Sequence, residues 1–467
     1  MCRRASGARA ARGRAARADK EENMGKIESR AARGTRDIMP AQMAGRRAAI
    51  KKIVDVFEAY GYEPLETPAI ERLDVLAGKY GEEGDRLIFK IAPRGDGSKD
   101  AELGLRYDLT VPLARVVASH PEIKFPFKRY QIQPVWRAER PQKARYREFY
   151  QCDVDVVGVG SVTADAEIVA IVNDSLGALG FEGYRIRVNH RRLLRAIAEF
   201  SGTSSAKAVD LCIAIDKLER VGFDGVREEL QKRGITGNSC SKVMAILEIT
   251  GTTEDKLAAL ERSLGSIEDA SVAIRETREF LACLAPLGVP ASSLSFDPCL
   301  ARGLDYYTGL IYESVVDEPR IGSLTGGGRY DKLIGTFAGR EIPATGTTVG
   351  LERILAAMED LGMLPQPKSG AQVLVAFQDE SLESEALSLS RELRRAGMRC
   401  EVTLKSKSPL REQLAYAAAK DIPWVFILGP DELAGGVVSL RDMARREQRT
   451  VDRADAVTAL ASALSQS

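Results

Sequence analysis

The sequence predicts an α/β protein: a large α+β core to about residue 364, carrying a helical insertion over about 195–285, followed by a small α/β unit at 371–467. Three observations carry this. First, after the Pro/Gly linker PQPKSG (365–370), QVLVAF, a helix, MRCEVTL, a helix and WVFILG alternate as β-α-β-α-β, which implies parallel strands in a small sheet. Second, FKRYQIQPVW (127–136) and QCDVDVVG (151–158) read as paired strands around a polar loop. Third, residues 195–285 show Lys-, Glu- and Leu-rich helical periodicity with no cluster of reactive side chains.

Along the chain, residues 1–26 contain almost no large apolar side chain and are expected to be either a disordered, Arg-rich extension or the product of a start codon placed too far upstream, with Met24 as the natural beginning. The stretch 46–62 spaces Ile50, Ile53, Val54 and Phe57 as one helical face, ended by Gly61, and YEPLETPAI then reads as extended. TADAEIVAIVNDSLGALG (163–180) reads as an amphipathic helix capped by Thr163.

Composition narrows the chemistry. Among 467 residues, 67 Lys and Arg face 66 Asp and Glu, and six of the arginines fall in residues 1–18, which hold no acid. The remainder is mildly acidic, so any polyanion site must be a local patch. Seven cysteines without a CxxC pair argue against a disulfide framework and a zinc site and fit a reducing cytosol. His120 and His190 are the two histidines, each isolated, which argues against a His-based triad or metal centre and suits surface or cap positions. No apolar run reaches the roughly 18 residues of a membrane span.

The densest chemical signal is KFPFKRYQIQPVWRAERPQKARYREFYQCDVD (124–155), with eight bases and two acids between 124 and 148. Read as a strand, it places Arg137 and Glu139 two apart on one face, with Arg140, Lys143 and Arg145 in the loop, and Phe149, Gln151, Cys152 and Asp155 on the returning strand. A guanidinium, a flat ring and a carboxylate on one sheet face suit a phosphate, a base and an ammonium.

WRAERPQ…RYREFYQCDVD resembles motif 2 of the class II aminoacyl-tRNA synthetases in the form used by histidyl-tRNA synthetases. TVGLERI (348–354) resembles motif 3, with Arg353, and YEPLETPAIE (62–71) resembles motif 1, with Pro68. ARGLDYYTG (301–309), GGGRYDKLIG (326–335), RGTRDIMP and GLRYDLTVPLAR (104–115) resemble further stretches of that family, in the right order from about residue 33 to the end. Ala138, Ala144 and Tyr150 depart from residues frequent in its bacterial members.

The resemblance implies an antiparallel sheet flanked by helices as in class II synthetases, a catalytic core at 27–364 and an anticodon-binding domain at 371–467. It implies a cytoplasmic homodimer, with Pro68 at the interface, that activates L-histidine with ATP and Mg2+ and transfers it to the 3′ end of tRNA(His). Arg137 is then expected to hold the histidine carboxylate and the α-phosphate, with Arg302 opposite. Arg145 and Arg353 are expected at the ATP tail and adenine, Phe149 stacked on the base, and Glu139 at its amino group. Asp108, Thr110 and Gln151 suit the α-amino end, and Asp155, Tyr307 and Tyr330 the imidazole, with Tyr306 beside them. Each has a plainer role open to it: Asp108 suits a cap for a helix at 109–118, and buried tyrosines commonly serve the core. In the last domain Lys405, Lys407 and Arg411 form the candidate RNA patch. The competing class is a non-catalytic relative, either a regulatory subunit or a tRNA sensor. Arg302 and the sheet domain after Gly370 weigh against the first, and the lack of a kinase signature weighs against the second.

Overall fold

The computed structural model describes residues 29–80, 84–92, 101–204, 207–301, 306–364, 369–404 and 407–465. The extension 1–26, Arg302 and Lys405 lie outside the described residues.

Helix α1 (Pro40–Ala59) opens on a proline, whose missing N–H costs nothing in a first turn, and buries Ile53 and Phe57 one turn apart. Gly61 follows at φ +77°, a conformation that suits a residue without Cβ. The extended stretch predicted after it is broken into β1 (Glu63–Pro64) and β2 (Ile70–Arg72). Pro64 and Pro68 lack the N–H a continuous strand would need. Strands β3 (Lys90–Ile91) and β4 (Leu103–Leu105) join β2 in a small three-stranded sheet, and α2 (Thr110–Ser119) follows.

The core is an eight-stranded sheet in the order β1-β5-β6-β11-β10-β9-β7-β8. Its strands are β5 (Phe127–Trp136), β6 (Glu148–Val157), β7 (Arg185–His190), β8 (Leu294–Phe296), β9 (Leu310–Val315), β10 (Thr325–Arg329) and β11 (Ala344–Val349), with β1 at one edge. The central strands pair antiparallel, as expected, whereas β1 and β8 at the two edges run parallel to their neighbours. Between β6 and β7, α3 (Val162–Leu179) covers one face. Its cap is Ser161, whose side chain accepts from the Thr163 amide, so the helix starts earlier than the Thr163 cap predicted.

Between β7 and β8 the chain is helical: α4 (Arg191–Ser201), α5 (Ala208–Ile215), α6 (Leu218–Lys232), α7 (Gly237–Leu247), α8 (Thr253–Leu264) and α9 (Glu268–Leu284). Leu211, Val226, Leu230, Val243, Leu257, Leu260, Phe280 and Leu284 point inward into one apolar cluster shared with α1 and α3. His190 caps α4 by accepting from the Arg192 amide, and its Nε2 lies 2.9 Å from Glu276. His120 ends α2 beside Glu122.

After β11, α10 (Leu351–Asp360) closes the core. The last unit holds β12 (Val373–Phe377), α11 (Glu383–Arg395), β13 (Cys400–Val402), α12 (Leu410–Ala419), β14 (Trp424–Leu428), β15 (Val437–Asp442), β16 (Gln448–Asp452) and α13 (Ala456–Ser465). Strands β13-β12-β14 are parallel as predicted, and an antiparallel hairpin β15-β16 extends the sheet beyond them. Among the described residues, no helix is long and apolar enough to cross a membrane.

Candidate active site

The site is built on the β5–β6 hairpin. Its register sets Arg129 opposite Asp155, Gln131 opposite Asp153, Gln133 opposite Gln151 and Val135 opposite Phe149. Because side chains alternate along a strand, these pairs share one face, while Tyr130, Cys152, Val154 and Val156 enter the apolar core on the other. Strand β11 continues the polar face with Gly346 beside Asp155 and Thr348 beside Asp153, and β10 adds Gly328 and Gly326.

The glycines are a spatial requirement. A Cβ on Gly346 would stand 2.0 Å from Asp155 Oδ1, and one on Gly328 2.9 Å from the Tyr307 ring. Gly326 has nothing within 4 Å, so it leaves the floor of the cavity open. Arg329, which follows them, turns away from the site. It donates to Asp165 (Nε, 3.0 Å), to the Val159 carbonyl and to the Ser161 carbonyl, joining β10 to α3. Removing one partner of so buried a pair would cost about 3–5 kcal/mol.

Above this floor lies a cavity of about 700 Å³. Of the residues expected from sequence, it is lined by Arg137, Glu139, Arg145, Phe149, Gln151, Tyr307 and Arg353. Strand β5 ends at Trp136, so Arg137 and Glu139 belong to the loop rather than the strand face predicted for them. Other bonds hold them there. Arg137 Nε donates to the Tyr107 carbonyl at 3.1 Å, and its guanidinium lies 4.3 Å from the Tyr107 ring and 5.1 Å from that of Phe149. Glu139 and Arg145 form an ion pair across the loop, which turns at Ala144 with φ +57°. Arg353, at the start of α10, donates to the Ser323 carbonyl at 2.8 Å.

Asp108, Thr110, Asp155, Tyr306 and Tyr330 do not line the cavity. Asp108 Oδ1 accepts from the Val111 amide (3.0 Å) and from Tyr80 (3.1 Å), and Tyr306 reaches Oδ2 at 3.4 Å. Asp108 thus does hold the first turn of α2, and a tyrosine pair surrounds it as well. Thr110 is buried in the first turn of α2, and the Tyr306 ring lies 5.0 Å from that of Tyr307 and 5.9 Å from that of Tyr330. Tyr330 donates to Asp155 Oδ1, while Arg129 faces Oδ2 at 2.8 Å. Burial raises the Asp108 and Asp155 carboxyls above the usual range, with Arg137 opposing at the first and Arg129 at the second. Gln151 is buried, its Oε1 has no hydrogen-bond partner, and its Nε2 lies 3.5 Å from Thr348. Pro68 is exposed on the surface, near the exposed Ile70 and Leu103 of the small sheet.

Sequence reasoning missed Asp153 and Arg129. Asp153 is buried on the same face, and burial pushes its carboxyl up to about 7 against the pull of Arg129. The signal was available: Asp153 falls between Gln151 and Asp155 in the period-2 series. It also missed Glu352, which lines the cavity beside Arg353 and is held by Arg36 and Arg46.

Comparison with known proteins agrees with this architecture from end to end. The histidyl-tRNA synthetase family profile matches residues 34–354, and the anticodon-binding domain profile matches 372–463. The histidine–tRNA ligase of Aeropyrum pernix is 44% identical over 430 residues, covering 92% of this chain and 97% of its own. That of Gloeobacter violaceus is 40% identical over 450 residues, covering 91% and 96%. The crystal structure of histidyl-tRNA synthetase from a Nostoc species superposes with a TM-score of 0.80 at 32% identity, covering 93% of this chain and 99% of that one. With both profiles and near full-length relatives in agreement, the chain belongs to the histidyl-tRNA synthetase family.

Proposed function

We propose that this protein is a histidine–tRNA ligase: it joins L-histidine to ATP as histidyl-adenylate and passes the histidyl group to the 3′ end of tRNA(His). The observation that carries the reading is the cavity itself. The Arg137 guanidinium, set between two aromatic rings, and the unpartnered Gln151 carbonyl oxygen line one cavity, with the further arginines Arg145 and Arg353 around it. Such a wall suits an amino acid at one end and a polyphosphate at the other.

In the first step the histidine carboxylate attacks the α-phosphorus, a P–O bond forms, and pyrophosphate leaves. This chemistry depends on positioning and charge, not on a protein nucleophile. Arg137 holds the carboxylate and α-phosphate together, and Arg302 approaches from the other side. Arg145 and Arg353 take the ATP tail and adenine, Phe149 stacks on the base, and Glu139 accepts from its amino group. Gln151, Asp108 and Thr110 bind the α-amino end. Asp155, Tyr307 and Tyr330, with Tyr306 beside them, bind the imidazole, because a carboxyl group and phenols together offer partners to a ring with two nitrogens.

Mg2+ enters as the counter-ion of the ATP phosphates. Among the described residues no group of three or more acids, histidines or cysteines is placed to hold a metal, and of the cavity carboxylates Glu139, Glu313 and Glu352 are already paired with arginines. The protein acts as a cytoplasmic homodimer, supported by the exposed apolar surface around Pro68, Ile70 and Leu103. The terminal domain reads the tRNA, with exposed Lys407 and Arg411 flanking the start of α12 as its candidate contacts. Histidine-dependent exchange of pyrophosphate into ATP tests the activation step. Exchange driven by another amino acid and not by histidine would overturn it.

A further inference from the structure

The two arginines assigned to ATP come from different elements: Arg145 from the β5–β6 loop and Arg353 from the start of α10. One further guanidinium bridges their immediate neighbours. Arg36 Nη1 donates to the Tyr146 hydroxyl at 2.8 Å, and Nη2 donates to Glu352 Oε2 at 2.5 Å. Its carbon lies 4.0 Å from the centre of the Tyr146 ring. Tyr146 and Glu352 both line the cavity, whereas Arg36 does not. Glu352 is buried, and its other oxygen accepts from the buried Arg46 at 2.8 Å and from the Tyr150 amide at 3.4 Å. Glu352 is thus fixed on the α10 side by Arg46 and the Tyr150 amide, and Arg36 ties Tyr146 of the β5–β6 loop to it.

The backbone beside Arg36 grips the same loop. The Arg147 amide donates to the Gly34 carbonyl at 2.8 Å, and Arg147 Nη1 to the Arg33 carbonyl at 3.4 Å. A Cβ on Gly34, which has φ +87°, would stand 2.8 Å from the Arg147 side chain and 2.9 Å from Pro141. A segment that is far away in sequence thus closes over the loop through main-chain and side-chain bonds.

We propose that Arg36 is a positioning residue for ATP binding: residues 33–36 form a clasp that holds Arg145 and Arg353 at a fixed separation. The idea rests on the ligase reading for its substrate. Because Arg36 touches the neighbours of the ATP arginines and none of the residues assigned to histidine, its loss weakens ATP selectively.

The test compares the unaltered protein with Arg36→Ala, Arg36→Lys, Gly34→Ala and Tyr146→Phe. ATP affinity is read by calorimetric titration, and the KM values for ATP and histidine by pyrophosphate exchange. Loss of a charge-assisted contact predicts about a tenfold weaker ATP affinity in Arg36→Ala, with the histidine KM within about twofold. Gly34→Ala shifts ATP in the same direction without removing a charge, and Arg36→Lys recovers part of the loss because an ammonium cannot bridge two partners as a planar fork does. Adding Tyr146→Phe to Arg36→Ala brings no further loss. Unchanged ATP affinity, or equal weakening of ATP and histidine with a lowered Tm, overturns the clasp. If the unaltered protein binds ATP but shows no histidine-driven exchange, the ligase reading fails on its own, and the titration still decides the role of Arg36.

Discussion

Gly346→Ala isolates the histidine end of the site with a single methyl group. The added Cβ would lie 2.0 Å from Asp155 Oδ1, 2.4 Å from its Cγ and 2.7 Å from the Val154 carbonyl. The carboxylate must retreat by roughly 1 Å or more to reach ordinary contact. That motion breaks or lengthens the Tyr330 hydrogen bond and the 2.8 Å Arg129 pair. Loss of one charge-assisted bond costs about 1.5–3 kcal/mol, which predicts a rise in histidine KM of about ten- to hundredfold. The ATP KM should move little, since Arg145, Phe149 and Arg353 lie away from Asp155. Gly326→Ala is the control: its Cβ meets nothing within 4 Å, so Tm should hold while the methyl intrudes on the cavity floor. Pyrophosphate exchange at varied histidine and ATP reads both KM values, and thermal melts read stability. A Gly346→Ala protein with unchanged histidine KM would refute the placement of Asp155 at the imidazole.

Three further outcomes follow from the same geometry. Asp153, pushed up to about 7, binds its proton more tightly folded than unfolded, so it costs stability as pH rises from roughly 4 to 7 and the full cost remains above that window. Asp153→Asn should therefore raise Tm at pH 8 relative to the unaltered protein, by much less at pH 4.5, and the two should converge below about pH 4. An equal Tm difference at both pH values would show that the carboxyl does not titrate there. Arg302→Ala should slow single-turnover adenylation by about 3 kcal/mol while sparing substrate binding, with Arg302→Lys recovering only part. Loss of Tm with near-normal adenylation per folded molecule would assign it a structural role. Sedimentation at micromolar concentration should give twice the 50.9 kDa chain mass, and a monomer there would contradict the homodimer.

What the sequence made legible was periodic. The two-residue repeat of β6 placed Phe149, Gln151 and Asp155 on one face, and the alternating terminal segment gave a parallel sheet. The same rule was carried too far at Arg137 and Glu139, where the strand had already ended at Trp136. Their positions are set by the Tyr107 carbonyl, the flanking rings and the pair with Arg145, none of which are neighbours in a simple pattern. The β15–β16 hairpin escaped notice because its outer strand is largely solvent-facing and carries little apolar alternation. Nor could spacing reveal that Arg36 and Arg46 converge on Glu352, since both contacts join segments more than 300 residues apart. The glycine row was visible as composition, but its purpose appears only when Asp155 and Tyr307 are seen filling the space the absent side chains leave.

A histidine–tRNA ligase must both activate histidine and deliver it to tRNA within one chain. The most direct measurement is charging of tRNA(His) by the purified protein with labelled histidine and ATP, followed by recovery of label on the tRNA 3′ end. The expected product is ATP-dependent histidyl-tRNA that is lost on mild base and is not formed on non-cognate tRNA. Tight binding of tRNA(His) with no label transferred, under conditions where the protein is folded and binds ATP, would contradict it and mark the chain as a sensor or regulatory relative.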